Sequence, residues 1–173
     1  MKKFISVILL AAMALTLFTA CGKEETPKGA DLSGETVEAL IEKIYETKMP
    51  EFALMTMPVD LADAEMTAWL TGVSDPALLK EAAVSESMMG SQAYSLVLAR
   101  VNDAAKAEEV AQMMLDNIDP AKWICVQADD LAAAIKGDLV MFIMVDTQLG
   151  LTAQNMVDAF SQVAGDVDKT LTK

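Results

Sequence analysis

The sequence contains no histidine at all, which removes the side chain most often used as a general base and as a nitrogen ligand for metals. It has two cysteines, Cys21 and Cys125, too few for the disulfide framework that holds small secreted scaffolds together. Basic residues are scarce: 13 Lys and Arg stand against 26 Asp and Glu, for a net charge of −13. Such a body repels phosphate backbones, so nucleic acid is not an expected partner. Aromatic residues make up only 5% of the chain, and no Gly-x-Ser-x-Gly elbow is present to carry a serine nucleophile. What is abundant is apolar surface, 53% of residues. About 140 residues beyond the N-terminal segment are enough for one globular domain with its own core.

At the N-terminus Lys2 and Lys3 precede an apolar segment from Phe4 to Leu17, long enough for export and short for a permanent span. Leu17-Phe18-Thr19-Ala20-Cys21-Gly22 then resembles a lipobox, with the bulky Phe18 where a smaller aliphatic residue is usual. The expectation is a signal peptide over 1–20, cleavage before Cys21 and lipid on its sulfur. The polar stretch 21–32 reads as a tether, and acyl chains at one residue give stable anchoring to the outer face of a membrane. Removing Lys2 and Lys3 with the leader moves the net charge from −13 to −15, so the lipid is the one evident membrane attachment.

Along the remaining chain Ser33 can cap a helix in which Val37, Leu40, Ile41, Ile44 and Tyr45 recur at helical spacing until Pro50. Phe52 to Pro58 reads either as a short edge strand or as an extended loop. A short helix follows over Leu61–Leu70, closed by Gly72, and Ser74-Asp75-Pro76 signals another turn or two through Lys80. Glu81–Ser85 and Gln92–Val101 are rich in strand formers and flank a turn at Met88-Met89-Gly90-Ser91, which predicts a hairpin. The second of these is apolar on both faces and belongs in the middle of a sheet, with Arg100 marking where it emerges.

Asn102 or Asp103 caps a helix with Ala107, Val110, Ala111 and Met114 on one face. Lys122–Gln127 then reads as a strand. Leu131–Ile135 and Leu139–Val145 read as two more, joined at Lys136-Gly137-Asp138. Thr152 caps a last helix carrying Ala153, Val157, Phe160 and Ala164, ended at Gly165. The pattern predicts an α+β fold: a single domain over 33–165, with a mainly antiparallel sheet of four or five strands packed with helices, and a frayed tail over 166–173.

Several segments agree in order with a known family. Ser85-Glu86, Gln92-Ala93-Tyr94-Ser95-Leu96, Asn117-Ile118-Asp119-Pro120, Lys122-Trp123-Ile124-Cys125-Val126 and Trp69-Leu70-Thr71-Gly72 are similar to segments of exported lipoproteins from Gram-positive anaerobic bacteria. These proteins carry an uncharacterised module, domain of unknown function 4358. The resemblance spans residues 35–165 and implies a lipobox followed by a small α+β domain. It brings no activity, cofactor or catalytic residue.

Candidate chemistry is correspondingly thin. Cys125 lies in an apolar segment, where a thiol packs as core and is inert. Ser85, Ser87, Ser91 and Ser95 cluster in sequence, so a Ser/Lys pair is the one nucleophilic arrangement open to the chain. Asp60, Asp63, Glu65, Asp129 and Asp130 could supply paired carboxylates, yet in so acidic a chain they read as solvated charge. Asp166-Val167-Asp168 lacks the Gly and closing Glu of a calcium loop. Methionines recur at Met55, Met57, Met113, Met114, Met141 and Met144; soft thioethers suit Cu(I), but at helical and strand spacing they read as core filler. No metal or cofactor is therefore expected. Met88 and Met89 in the turn, with Trp69, form a candidate contact patch, although the bulk of Trp69 favours burial. The expected function is that of a membrane-tethered, non-enzymatic module for an envelope protein, a peptide or a small solute; an envelope hydrolase using carboxylates or a Ser/Lys pair is the alternative.

Overall fold

Apolar residues alternate on both faces of the central strands, so both faces of the sheet must be covered, and the four helices divide between them. The computed structural model describes residues 32–173. The expected signal peptide over 1–20, Cys21 and the expected tether up to residue 31 lie outside the described residues.

The chain runs α1 (Val37–Thr47), β1 (Leu54–Pro58), α2 (Ala64–Thr71), β2 (Leu79–Ser87), β3 (Tyr94–Val101), α3 (Ala107–Asn117), β4 (Asp130–Lys136), β5 (Leu139–Val145), α4 (Ala153–Ala164) and β6 (Lys169–Thr172). The strands form one six-stranded sheet in the order β1-β2-β3-β5-β4-β6, with every pair antiparallel. The α+β class is as expected; the sheet has one strand more than the upper expected count.

Helices α1 and α4 cover one face. Leu40, Ile41 and Ile44 of α1 and Met156, Val157 and Phe160 of α4 meet Leu96, Leu98, Met141 and Ile143 there. Helices α2 and α3 cover the other, where Val110, Ala111 and Met114 meet Val84, Val97, Phe142 and Met144. Consecutive residues of β5 thus feed opposite cores, and all seven are buried. The methionines Met114, Met141 and Met144 are wholly buried core filler.

Local signals set most boundaries. Thr152 and Asn155 form a reciprocal capping box at the start of α4. Asp63 caps α2 by accepting from Met66 N at 2.9 Å. Gly72 ends α2 in the left-handed region at φ +77°, and a Cβ there would stand 3.0 Å from Met114 Cα, so glycine is needed both for conformation and for the approach of α2 to α3.

Five expectations are corrected. Helix α1 begins at Val37 with Thr36, not Ser33, as its cap; the preceding residues form a turn, Glu35 N to Leu32 O at 3.2 Å. The turn after Pro76 is a single 3-10 turn, Pro76–Leu78, and β2 already begins at Leu79. Arg100 does not mark an exit from the sheet: it is 2% exposed. Lys122–Gln127 is not a strand. Ile124 is 84% exposed and Cys125 sits exposed at φ +67°, a backbone conformation that cannot continue a ladder. The tail 166–173 is not frayed, because β6 pairs with β4 from Ala132↔Thr172 to Ile135↔Lys169. The 54–58 ambiguity resolves as an edge strand ending in Pro58.

Candidate functional site

At the end of the sheet where β2 turns into β3, Glu86 stands opposite Met55 on one side and Ser95 on the other. All three therefore face the α2–α3 side. The loop after α3 brings Lys122 onto this group. Its ammonium forms an ion pair with Glu86, its side chain is only 3% exposed, and it lies 3.4 Å from Ser95 Oγ. The carboxylate oxygen Oε1 of Glu86 is buried as well, with the Lys122 ammonium as its partner.

Two indoles flank the charge. Lys122 Nζ is 5.1 Å from the Trp69 ring centre and 5.4 Å from that of Trp123, within reach of a cation–π contact with each. Trp69 comes from the last turn of α2 and Trp123 from the residue next to the lysine. Trp69 is not buried as its bulk suggested but 54% exposed. Met66, one turn earlier on α2, and Met55, on the same face as Glu86, are also exposed, as are Met88 and Met89 in the β2–β3 turn and Ile124 in the loop of Lys122. Beside Trp123 an open depression of about 290 Å³ is lined by Ala121, Cys125, Val126 and Gln127. The arrangement presents apolar and aromatic surface around one neutralised ion pair, a pattern suited to holding a ligand.

The other face of the same sheet end carries hydroxyls. Tyr45 and Tyr94 are joined at 3.2 Å between their oxygens, and Thr56 Oγ1 donates to Ser85 Oγ at 2.9 Å. Burial pushes both phenols up, that of Tyr94 well above its ordinary value. Phe52 packs edge-on against Tyr94 at 5.3 Å. These contacts tie α1 to β3, the approach to β1 to β3, and β1 to β2.

Most of the remaining candidates are occupied structurally, whereas Glu65 is exposed in the first turn of α2. Asp60 accepts from Ala62 N, Asp63 caps α2, and Asp129 takes both the N–H and the hydroxyl of Thr147 at 2.8 Å. Asp130 accepts from Ala153 N at the start of α4, and Asp168 binds Lys136 and Gly137 N. Among the described residues no group of three or more His, Cys, Asp or Glu side chains could hold a metal ion. Ser87 bonds Gln92 across the hairpin, and the β2–β3 turn holds Met88 and Met89 outward.

Lys122 is the site residue that sequence reasoning missed. In the sequence it stands at the head of an apolar run that reads as a strand, and its partner Glu86 lies in β2, far away in sequence. The adjacent Trp123 was the one signal available, since an aromatic next to a lysine in a loop has a cation–π partner at hand. No family model, no curated protein and no solved structure matches this chain, and among the described residues no helix is long and apolar enough to cross a membrane.

Proposed function

We propose that this chain is a membrane-tethered lipoprotein whose folded domain binds an envelope protein, a peptide or a small solute without transforming it. The observation that supports this reading best is the half-exposed Trp69 set against the buried Lys122–Glu86 pair. A large apolar side chain held outward by a fixed charge is a contact surface already organised before a ligand arrives. The lipobox-like stretch ending at Cys21 and the resemblance to exported lipoproteins support the membrane-tethered part of this reading.

The hydrolase reading keeps one observation, the contact between Lys122 and Ser95. Ser95 is wholly buried and the lysine nitrogen faces Glu86, which leaves neither an accessible nucleophile nor a nitrogen uncommitted to another partner. One experiment separates the two. Tryptophan emission of the wild type and of Trp69→Ala is followed against panels of short peptides and aromatic amides, alongside turnover of chromogenic esters. The binding reading expects an emission shift with at least one panel member, absent in Trp69→Ala. Ester turnover that disappears in Ser95→Ala, with no emission shift, overturns it. The tether is tested by Cys21→Ala, which should leave the membrane fraction or remain as unprocessed precursor; normal processing and membrane retention would refute the lipid assignment.

A further inference from the structure

We propose that the outer edge of β1 is a strand-addition site for an extended peptide with basic residues at its two ends, a proposal that deepens the binding reading and rests on it. The edge direction of each residue follows from two bonds that bracket the strand. Met88 N donates to Ala53 O at 3.0 Å and Val59 N donates to Ala82 O at 2.8 Å. With the register running unbroken from Leu54↔Ser87 to Pro58↔Ala83, Met55 and Met57 direct their backbone groups to β2. Leu54, Thr56 and Pro58 direct theirs outward. Proline has no N–H, so the edge offers two donors, from Leu54 and Thr56, and three carbonyl acceptors. Among the described residues none takes these groups.

Nothing in the strand guards them. β1 reads Leu-Met-Thr-Met-Pro, without a charge, and its pairing contains no bulge, whereas natural edges are usually protected by one or the other. Pro58 blunts only its own position. The opposite edge is different: β6 carries Lys169, tied to Glu108 at 2.6 Å. An added strand on β1 would lay alternate side chains beside Met55, which is 50% exposed and shares its face with Glu86, Lys122 and Trp69.

Charge selects the occupant. Exposed Glu51 and Asp60 flank the strand, and Glu46 and Glu51 bracket Lys48, the nearest cation in sequence. A second copy paired antiparallel about Thr56 would set Glu51 beside Asp60 of its neighbour at both ends, which is repulsive. A peptide with basic ends meets the same two acids with opposite sign.

The test uses the full chain and a fluorescein-labelled peptide, Lys-Thr-Val-Thr-Val-Thr-Lys, read by anisotropy. Thr56→Pro removes one outward N–H without touching the backbone bonds to β2, and Thr56→Val is its control, since it loses the same Ser85 hydrogen bond while keeping that N–H. The proposal expects wild type and Thr56→Val to bind alike. It expects Thr56→Pro to bind at least fivefold more weakly, about the factor for one net backbone hydrogen bond. It also expects a Glu-ended peptide to bind more weakly than the Lys-ended one. Should Thr56→Pro fail to fold, amide exchange in the wild type serves instead: peptide must slow exchange at Leu54 and Thr56. Equal binding by all three proteins, or none at millimolar peptide, overturns the proposal. If that binding vanishes in Trp69→Ala, the binding reading survives while strand addition fails. A dimer that Thr56→Pro dissociates assigns the edge to a second copy and also overturns it.

Discussion

Arg100 of β3 stands directly opposite Glu81 of β2, and its Nε donates to Glu81 Oε1 at 2.8 Å. The same guanidinium reaches Asp138 at 3.2 Å and, through Nη2, the carbonyls of Leu32 and Glu35 at 3.0 Å each. One side chain therefore ties the β2–β3 pair, the β4–β5 turn and the approach to α1. Burial disfavours its charge, but the bonds to Glu81 and Asp138 outweigh this and hold its pKa above the ordinary value. Arg100→Ala leaves two carbonyls and two partly exposed carboxylates without their donor and is expected to cost about 3 kcal/mol in urea unfolding. Arg100→Lys should recover little, since an ammonium cannot reproduce the fork that serves several acceptors at once.

The Lys122–Glu86 pair invites a different comparison. Glu86→Gln leaves a buried ammonium between two indoles without its counter-charge, and about 3 kcal/mol of stability should go with it. Lys122→Met in the same background removes the stranded charge and keeps the apolar stem, so the double variant should unfold closer to the wild type than Glu86→Gln alone. A double variant as unstable as the single one would show that the stranded charge is not the source of the loss. Ligand contact at Trp69 predicts in addition that the restored double variant still binds differently from the wild type.

Cys125 separates a core thiol from a loop thiol. In a Cys21→Ser background it is expected to react fully with a thiol reagent in native buffer, at a rate near that of the unfolded chain, because it is exposed. Substitution points the same way. At φ +67° a side chain costs about 1 kcal/mol that glycine does not incur. Cys125→Gly should therefore melt no lower than the wild type, while the β-branched Cys125→Val should melt lower.

Why that loop was illegible, and much else was not, follows from where each signal resides. The central strand β3, the β4–β5 hairpin and α4 carry their own evidence: alternating or continuous apolar residues, a glycine turn and a Thr cap, all within a dozen residues. Trp123, Ile124, Cys125 and Val126 offer the same apolar run, but the ladder positions beside β3 and β5 are already filled by β2 and β4, so these residues lie over the sheet's end instead. β6 shows the reverse. Lys-Thr-Leu-Thr is too short and too exposed to announce itself, and it becomes a strand because β4 has an open edge within reach. The burial of Arg100 and Lys122 has no local sign in the sequence, because it depends on acids brought together with them by the sheet and by a loop.

Acid sensitivity has two named sources. The N–H and hydroxyl of Thr147 hold the Asp129 carboxyl below its ordinary pKa, and the Gly137 N–H, helped by Lys136, does so for Asp168. Both groups favour folding when ionised, so their contribution is complete above the ordinary carboxylate range and fades as pH falls through the lowered folded values. The melting temperature should therefore drop below about pH 4. Asp168→Asn keeps an oxygen for Gly137 N but loses the charge, and its melting curve should be flatter across that acid range. An acid limb identical to the wild type's would show that Asp168 contributes nothing through ionisation.

Removing residues 166–173 is the sharpest test of the last strand. A frayed tail could be cut with no effect beyond about 0.5 kcal/mol, the usual range for surface changes. Here the cut breaks the β4–β6 ladder and the bonds from Asp168 N to Ile135 O at 2.7 Å and from Lys173 Nζ to Leu115 O at 2.9 Å. It also strips Leu171 from the α2–α3 core. At about 0.5 kcal/mol for each net hydrogen bond of this largely exposed strand, with the leucine added, a loss of about 2–4 kcal/mol is expected. Leu171→Ala alone, at a half-buried site, should account for about 1 kcal/mol of it. The truncated protein should also self-associate, because it uncovers the edge of β4, whose Leu131-Ala132-Ala133-Ala134-Ile135 carries no charge to keep other strands away.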